Sequence, residues 1–528
     1  MKRILFSLGS VLVILSMALV PLGGQVTAED PDPKEVAITN GLAWLASAQA
    51  ADGGWSPGWC DRISYTGLAV LKLETRAIEL GLDPLEEAYE YSSNVTAGLS
   101  FITANSITMP IGSEPAGNPD GDADGIGIYW TTNPDCGYDW HRTYNTSIAL
   151  MALSASGHPE LYGDIAQDAL DFIAWGQTDA GCELSRGGWR YMDNSCDSDN
   201  SNTGWVTLAL GYVRSSPPYG FGLTIPPFVL TELSPWLDMM QDDVNGDPDD
   251  GGSWYDPWNP WVNILKTGNL IYEFGLVGDG VNSQRMIDAI DYMERHWMDA
   301  NDDPGWRGAP ANYQAMFTTM KGLEAMGIDL LDLDSDSVPE YDWFAEFVDV
   351  LVSQQNLDGS WPGWCYWGND VACTAWALLT LEKSVPPLEI PVSIDIKPLS
   401  CPNPIKIKDK GIVPVAILGT EDFDVTQIAP ASIYLWYMDQ QNNRVHPLRW
   451  SYKDVATPYS GDLVDRYSCT INGPDGYTDL VLHFANQPVV AMLDPVNIGN
   501  VLILPLAGNL MEDYGGTPIA GADIVWFK

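Results

Sequence analysis

Between residues 35 and 385 the chain alternates two kinds of apolar segment. In the first, an apolar stripe at helical spacing runs into a Gln, a Gly turn and a Trp. This pattern is spelled twice with identical spacing, as Leu45, Gln49, Gly53 and Trp55 near the start and as Leu351, Gln355, Gly359 and Trp361 near the end. Looser copies lie between them: Ile173, Gln177 and Gly188–Trp189; Leu237, Gln241 and Gly252–Ser253–Trp254; and Met293 with Trp297 in the Gln place, then Gly305–Trp306. A further slot, Phe101 and Asn105 before a long insertion to Trp130, is degenerate. After each turn a polar-then-small dipeptide opens a second, apolar helix: Thr66–Gly67, Thr146–Ser147, Thr203–Gly204, Thr267–Gly268, Gln314–Ala315 and Thr374–Ala375. The expected roles are an N-cap for Thr and close helix approach for the small residue. A fixed internal period marks a repeat architecture. Six helical hairpins placed around an axis close on themselves and bury every second helix.

The Gln…Gly-x-Trp repeat resembles the QW motif of the squalene–hopene cyclase and prenyltransferase repeat superfamily, which implies an (α/α)6 toroid over residues 35–385. The resemblance further implies that Gln49, Gln177, Gln241 and Gln355 tie adjacent helices, with Trp55, Trp189, Trp254 and Trp361 packed on them. At Met293–Trp306 the pattern departs, because Trp297 has no amide. The resemblance speaks to fold; function has to be read from a site.

Helical periodicity stops near Leu381, and a Pro-containing linker at 386–392 leads into short β-type runs: VSIDIKP, GIVPVAILG, SIYLWYM, TDLVLHF, NVLILPLAG and ADIVWFK. These predict a β-sandwich over 393–528, so the chain reads as α + β with two domains. Residues 1–28 read as a secretory signal, with Lys2 and Arg3 ahead of an apolar stretch and Val26–Thr27–Ala28 as the cleavage site. The mature protein is expected outside the cell, with no integral membrane span. Eight Cys then imply disulfides. Cys182–Cys196 and Cys401–Cys469 are the first choices, while Cys60 and Cys365 either bridge each other or pair with Cys136 and Cys373.

Charge adds one exclusion. With 71 acidic against 25 basic residues, the net charge is −46, and the chain has no basic stripe to neutralise phosphates, so nucleic acid is a poor partner. Cations are good ones. Asp120, Asp122 and Asp124 before Gly125 reproduce the start of a Ca²⁺ loop, although Thr131 stands where the bidentate Glu belongs. Asp247 and Asp249 lie in a second oxygen-rich loop that also holds Asn245. A Ca²⁺ ion there would order loops.

Terpene chemistry on this fold needs a dry Asp-x-Asp-Asp acid. Asp247–Pro248–Asp249–Asp250 has those letters, but Gly251–Gly252–Ser253–Trp254 follows and places them in a solvent-facing turn. A prenyltransferase Zn²⁺ site is equally ill served, since His141, His158 and His296 have no Cys nearby at ligand spacing. What remains is the ring mouth, just ahead of the inner helices. Tyr65, Trp140, Asn145, Trp258, Trp261, Arg307, Tyr313, Tyr366, Trp367 and Asp370 are the expected ligand-binding residues. Aromatic platforms mixed with carboxylates suit sugars. Asp139, His141, Arg142 and Tyr144 form the densest group, with His141 and Tyr144 for acid–base work and Arg142 and Asn145 for carboxylate binding. The expected function is ligand or partner binding in the central funnel, the partner being a glycan, a small molecule or a cell-surface component. A polysaccharide lyase or glycoside hydrolase is the first alternative, and a terpenoid cyclase or prenyltransferase the second.

Overall fold

The computed structural model describes residues 32–528 apart from 134–135, 137–138, 216, 245, 300–304, 337, 364–367, 387, 389, 421–422, 438–443, 460, 462, 464, 494–495 and 512–517. The signal segment 1–28 and the residues Asn245, Cys365, Tyr366 and Trp367 fall outside the described residues.

Six helices form an inner ring: α2 (Arg62–Glu79), α4 (Arg142–Ala155), α6 (Asn200–Arg214), α8 (Ile264–Leu276), α10 (Tyr313–Ala325) and α12 (Asp370–Leu381). Each packs on the next, and α12 packs back on α2, so the ring is closed. Six more lie outside: α1 (Pro33–Ser47), α3 (Ser92–Ala104), α5 (Pro159–Trp175), α7 (Pro227–Met240), α9 (Gln284–His296) and α11 (Trp343–Gln354). Sequence pattern explains the sorting. Every residue of α8 and of α10 from its first turn to Leu323 is buried, whereas α9 buries only Met286, Ala289, Tyr292 and Met293, one stripe at helical spacing.

The repeat Gln fixes the ring sideways. Gln49 donates its amide hydrogens to Gly53 O at 2.8 Å and to Asn94 O of α3 at 2.9 Å. Gln177 bonds Gly187 O and Val229 O of α7, and Gln241 bonds Gly251 O and Arg285 O of α9. Gln355 bonds Gly359 O and, at 2.8 Å, Ala37 O of α1, which seals the last repeat to the first. Each side chain thus serves its own turn and the next outer helix together. Where Gln is missing, Trp297 donates its indole N–H to Glu346 of α11 at 2.9 Å, a different tie between the same kind of neighbours. Asn105 reaches only Phe101 O of its own helix.

Two details of the repeat differ from the expectation. The turn glycine of the third and fourth copies is Gly187 and Gly251, not Gly188 and Gly252. Gly53, Gly187, Gly251 and Gly359 all have φ between 86° and 96°, and a Cβ on any of them would lie 2.0–2.4 Å from a carbonyl oxygen of the next outer helix. Consequently Ser253, not Trp254, takes the Trp position. The backbone N–H of Trp55, Trp189, Ser253 and Trp361 each bonds a Thr hydroxyl, on Thr66, Thr203, Thr267 and Thr374. Thr is also not the N-cap. Asp199, Asn263, Asn312 and Asn369 cap their helices, and in α6, α8 and α12 the Thr sits about one turn inside, anchoring the turn before it. The small residue after it does allow close approach, since a Cβ on Gly204 or Gly268 would meet the neighbouring helix at 2.4 and 2.7 Å.

The insertion before Trp130 holds a hairpin of β1 (Ile107–Pro110) and β2 (Ile126–Tyr129), which lies against α5. Beyond the ring come β3 (Ile390–Pro391), β4 (Ile394–Ile396), β5 (Pro404–Ile405), β6 (Ile412–Ile417), β7 (Tyr434–Leu435), β8 (Arg449–Tyr452), β9 (Leu480–Ala485), β10 (Val501–Asn509) and β11 (Pro518–Phe527), with the short helix α13 (Asn486–Met492) after β9. They form one sheet ordered β3-β11-β10-β7, with β5 also beside β11, and another ordered β4-β6-β9-β8. Both supply one buried apolar cluster, in which Leu480, Leu482 and Phe484 of β9 meet Leu504 and Leu506 of β10. The stretch read as a linker is packed: Leu388 is buried in the ring's core and Ile390–Pro391 pair with Ile519–Ala520. Disulfides join Cys60–Cys136, Cys182–Cys196 and Cys401–Cys469, and Cys373 is also disulfide-bonded. No helix among the described residues is long and apolar enough to cross a membrane.

Candidate functional site

The N-terminal ends of the inner helices share one rim of the ring, and the loops feeding them carry most of the polar chemistry. At the start of α4, His141 has a left-handed backbone, φ 57°, an uncommon choice for a residue with a Cβ. This conformation places its Nδ1 2.8 Å from Oδ1 of Asp61, the residue before α2. Asn145, fully buried one turn along, accepts from the Ser64 hydroxyl at 2.7 Å and donates to the same Asp61 oxygen at 3.3 Å. Asn145 therefore couples α4 to α2 and positions Asp61; it is not available to a ligand.

An aromatic wall stands behind His141. The Tyr191 ring lies 4.3 Å from the imidazole, Tyr144 packs against Tyr191 and Trp205, and Trp205 stacks on Phe317 of α10 at 6.1 Å. Trp205 and Phe317 are buried and meet across the interior, between helices that are not ring neighbours. Burial and the nearby Asp61 charge hold the Tyr144 hydroxyl well above the ordinary tyrosine pKa. Tyr144 keeps its proton and so cannot act as a base near neutrality.

Next along the rim, Arg190 pairs with the fully buried Asp199 and reaches the Tyr255 hydroxyl at 3.3 Å. Lys266 places its ammonium 3.8 Å from the centre of the Trp261 ring, a cation–π contact.

Several expected binders are occupied by the protein itself. Arg142 is held by Asp139 and Asp193 and lies over the Tyr129 ring, and the pairing depresses the Asp139 pKa. Arg307 pairs with Glu346 at 2.6 Å, and the buried Tyr313 donates to Gln354 of α11 at 2.8 Å. Both are packing residues. Trp140 and Trp258 are exposed.

A cleft of about 400 Å³ opens on the same rim where the last repeat meets the first, between Trp44, Trp59, Ser56, Asn369 and Asp370. Trp59 is 44% exposed, and the Cys60–Cys136 disulfide pins the loop that presents it. Its ring meets the edge of Tyr65 at 5.6 Å, and Tyr65 N–H bonds Asp61 O, which links the cleft to the His141 pair through one turn of α2. Asn369 donates to the Ser56 hydroxyl at 2.9 Å, and Asp370 is exposed. Trp44 and Trp59 escaped the sequence reading because Trp44 sits in an outer helix. Only ring closure brings it to the mouth. Tyr191 and Arg190 were missed because they precede α6 in a loop without a strong motif.

Metal-compatible carboxylates gather at two loops among the described residues. Asp120, Asp122 and Asp124 present oxygens within 4.8 Å of one another, as do Asp332, Asp334 and Asp336. The second group was overlooked although its alternating Asp spacing is plain. Under the first loop, Asp171 of α5 is buried and accepts from Gly121 N, and burial with the loop carboxylates raises Asp168 to about 6 and Asp171 to about 7. Asp247 and Asp249 join no such group among the described residues, and they lie in a turn, with Asp249 N bonded to the Asp247 carboxylate.

No protein-family model and no curated protein matches the chain. Among solved structures it is similar to a type II terpene cyclase from Scytonema (11% identity, TM-score 0.37, covering 67% of this chain and 97% of that one). It is also similar to a protein from Actinoplanes (14%, 0.35, 66% and 99%) and to a β-arabinofuranosidase (10%, 0.31, 90% and 76%). Likeness at this level says nothing of activity, and the ring rests on its own helix contacts.

Proposed function

We propose that this is an exported ring protein that binds a glycan at its mouth, in the cleft between Trp44 and Trp59. The observation that carries this reading is the cleft itself: two indoles, one of them well exposed, flank the Ser56 hydroxyl, the Asn369 amide and the Asp370 carboxylate. Indole faces bind the apolar faces of sugar rings, and the polar groups between them suit hydroxyls. The C-terminal region, read as a β-sandwich, would serve attachment or stability. Ca²⁺ would act at Asp120, Asp122 and Asp124 to order the insertion against α5.

The His141–Asp61 pair supports a second reading on the same rim, glycan cleavage. Asp61 would orient the imidazole through Nδ1–H, and the other ring nitrogen would take the proton. Terpene cyclisation draws no support from the Asp247–Asp250 turn or from an interior filled by Trp205 and Phe317.

Calorimetric titration against a panel of soluble polysaccharides tests the main reading. Trp59→Ala and Asp370→Asn should each weaken binding at least tenfold with an unchanged melting temperature. Retention of wild-type affinity in both variants would remove the cleft as the site. His141→Ala separates the two readings: lost turnover with intact binding makes the rim catalytic, whereas an unchanged turnover rate excludes His141 as the base.

A further inference from the structure

The sheet ordered β4-β6-β9-β8 ends in an open edge. β8 pairs with β9, Arg449 opposite His483, Trp450 opposite Leu482, Ser451 opposite Val481 and Tyr452 opposite Leu480, and no strand lies on its other side among the described residues. One step further in register, Lys453 N–H bonds Asp479 O at 2.9 Å. Hydrogen-bonded and non-bonded pairs alternate along an antiparallel ladder, so Arg449 and Ser451 also bond β9, while the N–H and C=O groups of Trp450 and Tyr452 point away from the sheet. Such an edge is a template for one more strand.

Two independent features say what that strand carries. The first is an apolar face. Trp450 and Tyr452 stand on the same side of the sheet as Leu482 and Leu480, which are fully buried, and Leu448 shares that side at the two-residue period of a strand. Yet Leu448 is 66% exposed and Trp450 and Tyr452 are each 44% exposed, and none of them packs on the core that holds Leu480 and Leu482. The apolar face thus runs one strand beyond the elements that cover it. The second feature is charge. Arg449 and Lys453 stand on the opposite side, and neither pairs with a carboxylate among the described residues, where all the ion pairs lie in the ring. The chain's acidity is little obstacle to an acidic visitor here. Residues 393–528 hold 15 of the 71 acidic residues and 9 of the 25 basic ones, and exposed charges are largely screened beyond about 8 Å at physiological salt.

We infer that β8 is a docking edge for an extended segment of another protein in which apolar and acidic residues alternate. The backbone of that segment bonds Trp450 and Tyr452, its apolar side chains cover Leu448, Trp450 and Tyr452, and its carboxylates meet Arg449 and Lys453. A second copy of β8 fits worse, since it brings the same two cations to the same edge. A linear sugar lying on the Trp450 and Tyr452 rings would leave Arg449 and Lys453, on the other side, without a partner. The edge is separate from the mouth cleft, and occupying one does not require the other.

Calorimetry on the full mature chain tests this with acetylated, amidated octapeptides. One alternates valine with glutamate and one alternates valine with lysine. A further one is the valine–glutamate peptide methylated on its valine amides, the groups that would face Trp450 and Tyr452. The expected result is saturable binding of the valine–glutamate peptide and at least tenfold weaker binding of the other two. Tyr452→Pro removes an outward N–H and no bond to β9, so it should weaken the valine–glutamate peptide at least tenfold with an unchanged melting temperature. Arg449→Glu combined with Lys453→Glu should reverse the preference towards the lysine peptide, a result that only a folded edge can give. No saturation by the valine–glutamate peptide, equal affinity for its methylated form, or a preference for glutamate that survives the charge reversal overturns the assignment. So does a dimer in sedimentation that Tyr452→Pro dissolves, which would make the edge a contact between copies. Displacement of the peptide by a cello-oligosaccharide overturns it too, and would make Trp450 and Tyr452 a sugar platform.

Discussion

Replacing Gln355 by Leu removes the side chain that ties the last repeat's turn to the first outer helix across the ring's seam. Its amide gives two hydrogen bonds, to Gly359 O at 2.9 Å and to Ala37 O at 2.8 Å, both in partly buried surroundings. A hydrogen bond of this kind contributes about 1 kcal/mol net, and a carbonyl left without a partner costs a further fraction of its desolvation. The sum is about 3 kcal/mol. A cooperative unit of roughly 350 residues unfolds with an entropy near 0.7 kcal/mol/K, so that loss lowers the melting temperature by about 4 °C. Differential scanning calorimetry reads this directly. Gln355→Glu is the sharper variant: it keeps the shape but has no N–H to give and sets a carboxylate against two carbonyls, so it should cost at least as much as Leu. Asn105→Leu is the internal control, because Asn105 bonds only its own helix at an exposed position, and it should shift the transition by less than about 1 °C. Equal shifts for Gln355 and Asn105 variants, or none for Gln355→Glu, would refute the claim that the amide bonds hold the seam.

Gly53→Ala should destabilise by at least about 2 kcal/mol, seen as a lower melting temperature, because its φ is 91° and the new methyl would lie 2.3 Å from Ala97 O. Burial raises Asp395 and Asp523 to about 7, far above their unfolded value near 3.8, and the Asp523 and Asp479 charges add to the shift at Asp395. The folded state therefore binds more protons, and the β-rich region should lose stability as pH rises from about 4 to 7 and change little above that. Asp395→Asn should flatten that part of a melting-temperature profile; an unchanged slope would show that these groups do not titrate on unfolding. Ca²⁺ should raise the melting temperature and EGTA should reverse it, with Asp122→Asn reducing the effect. Because Asp168 and Asp171 hold protons up to about 6 and 7, Ca²⁺ should bind more weakly at pH 5 than at pH 7.5, and an equal affinity at both would exclude them as contributors.

The ring was legible because its signals are local and repeated: four of the six hairpins carry their own Gln and turn glycine, and all six an apolar inner helix. The six strand-forming runs were legible through their alternation, and β8 was not, since its Arg449–Tyr452 segment is exposed throughout and has no buried face to read. Cys182–Cys196 follows from bracketing one loop and Cys401–Cys469 from being the two Cys of the C-terminal region, whereas the choice of Cys136 for Cys60 depended on where the first insertion folds. Site residues fared unevenly. His141 and Asp370 do lie at the mouth, while Arg142, Arg307 and Tyr313 are spent on the protein's own carboxylates and amides.

By itself, then, the amino-acid sequence determined the helical hairpin, its number of copies and the point where helices give way to strands, since each depends on residues within one turn or one strand of each other. Tertiary structure decided which side chains are free. A cation or phenol is available to a ligand only if no neighbouring repeat has already satisfied it, and that neighbour is tens to hundreds of residues away. The same holds for the cleft and the open edge. Trp44 joins Asp370 only because the ring closes, and Trp450 is left exposed only because no strand lies beyond β8 among the described residues.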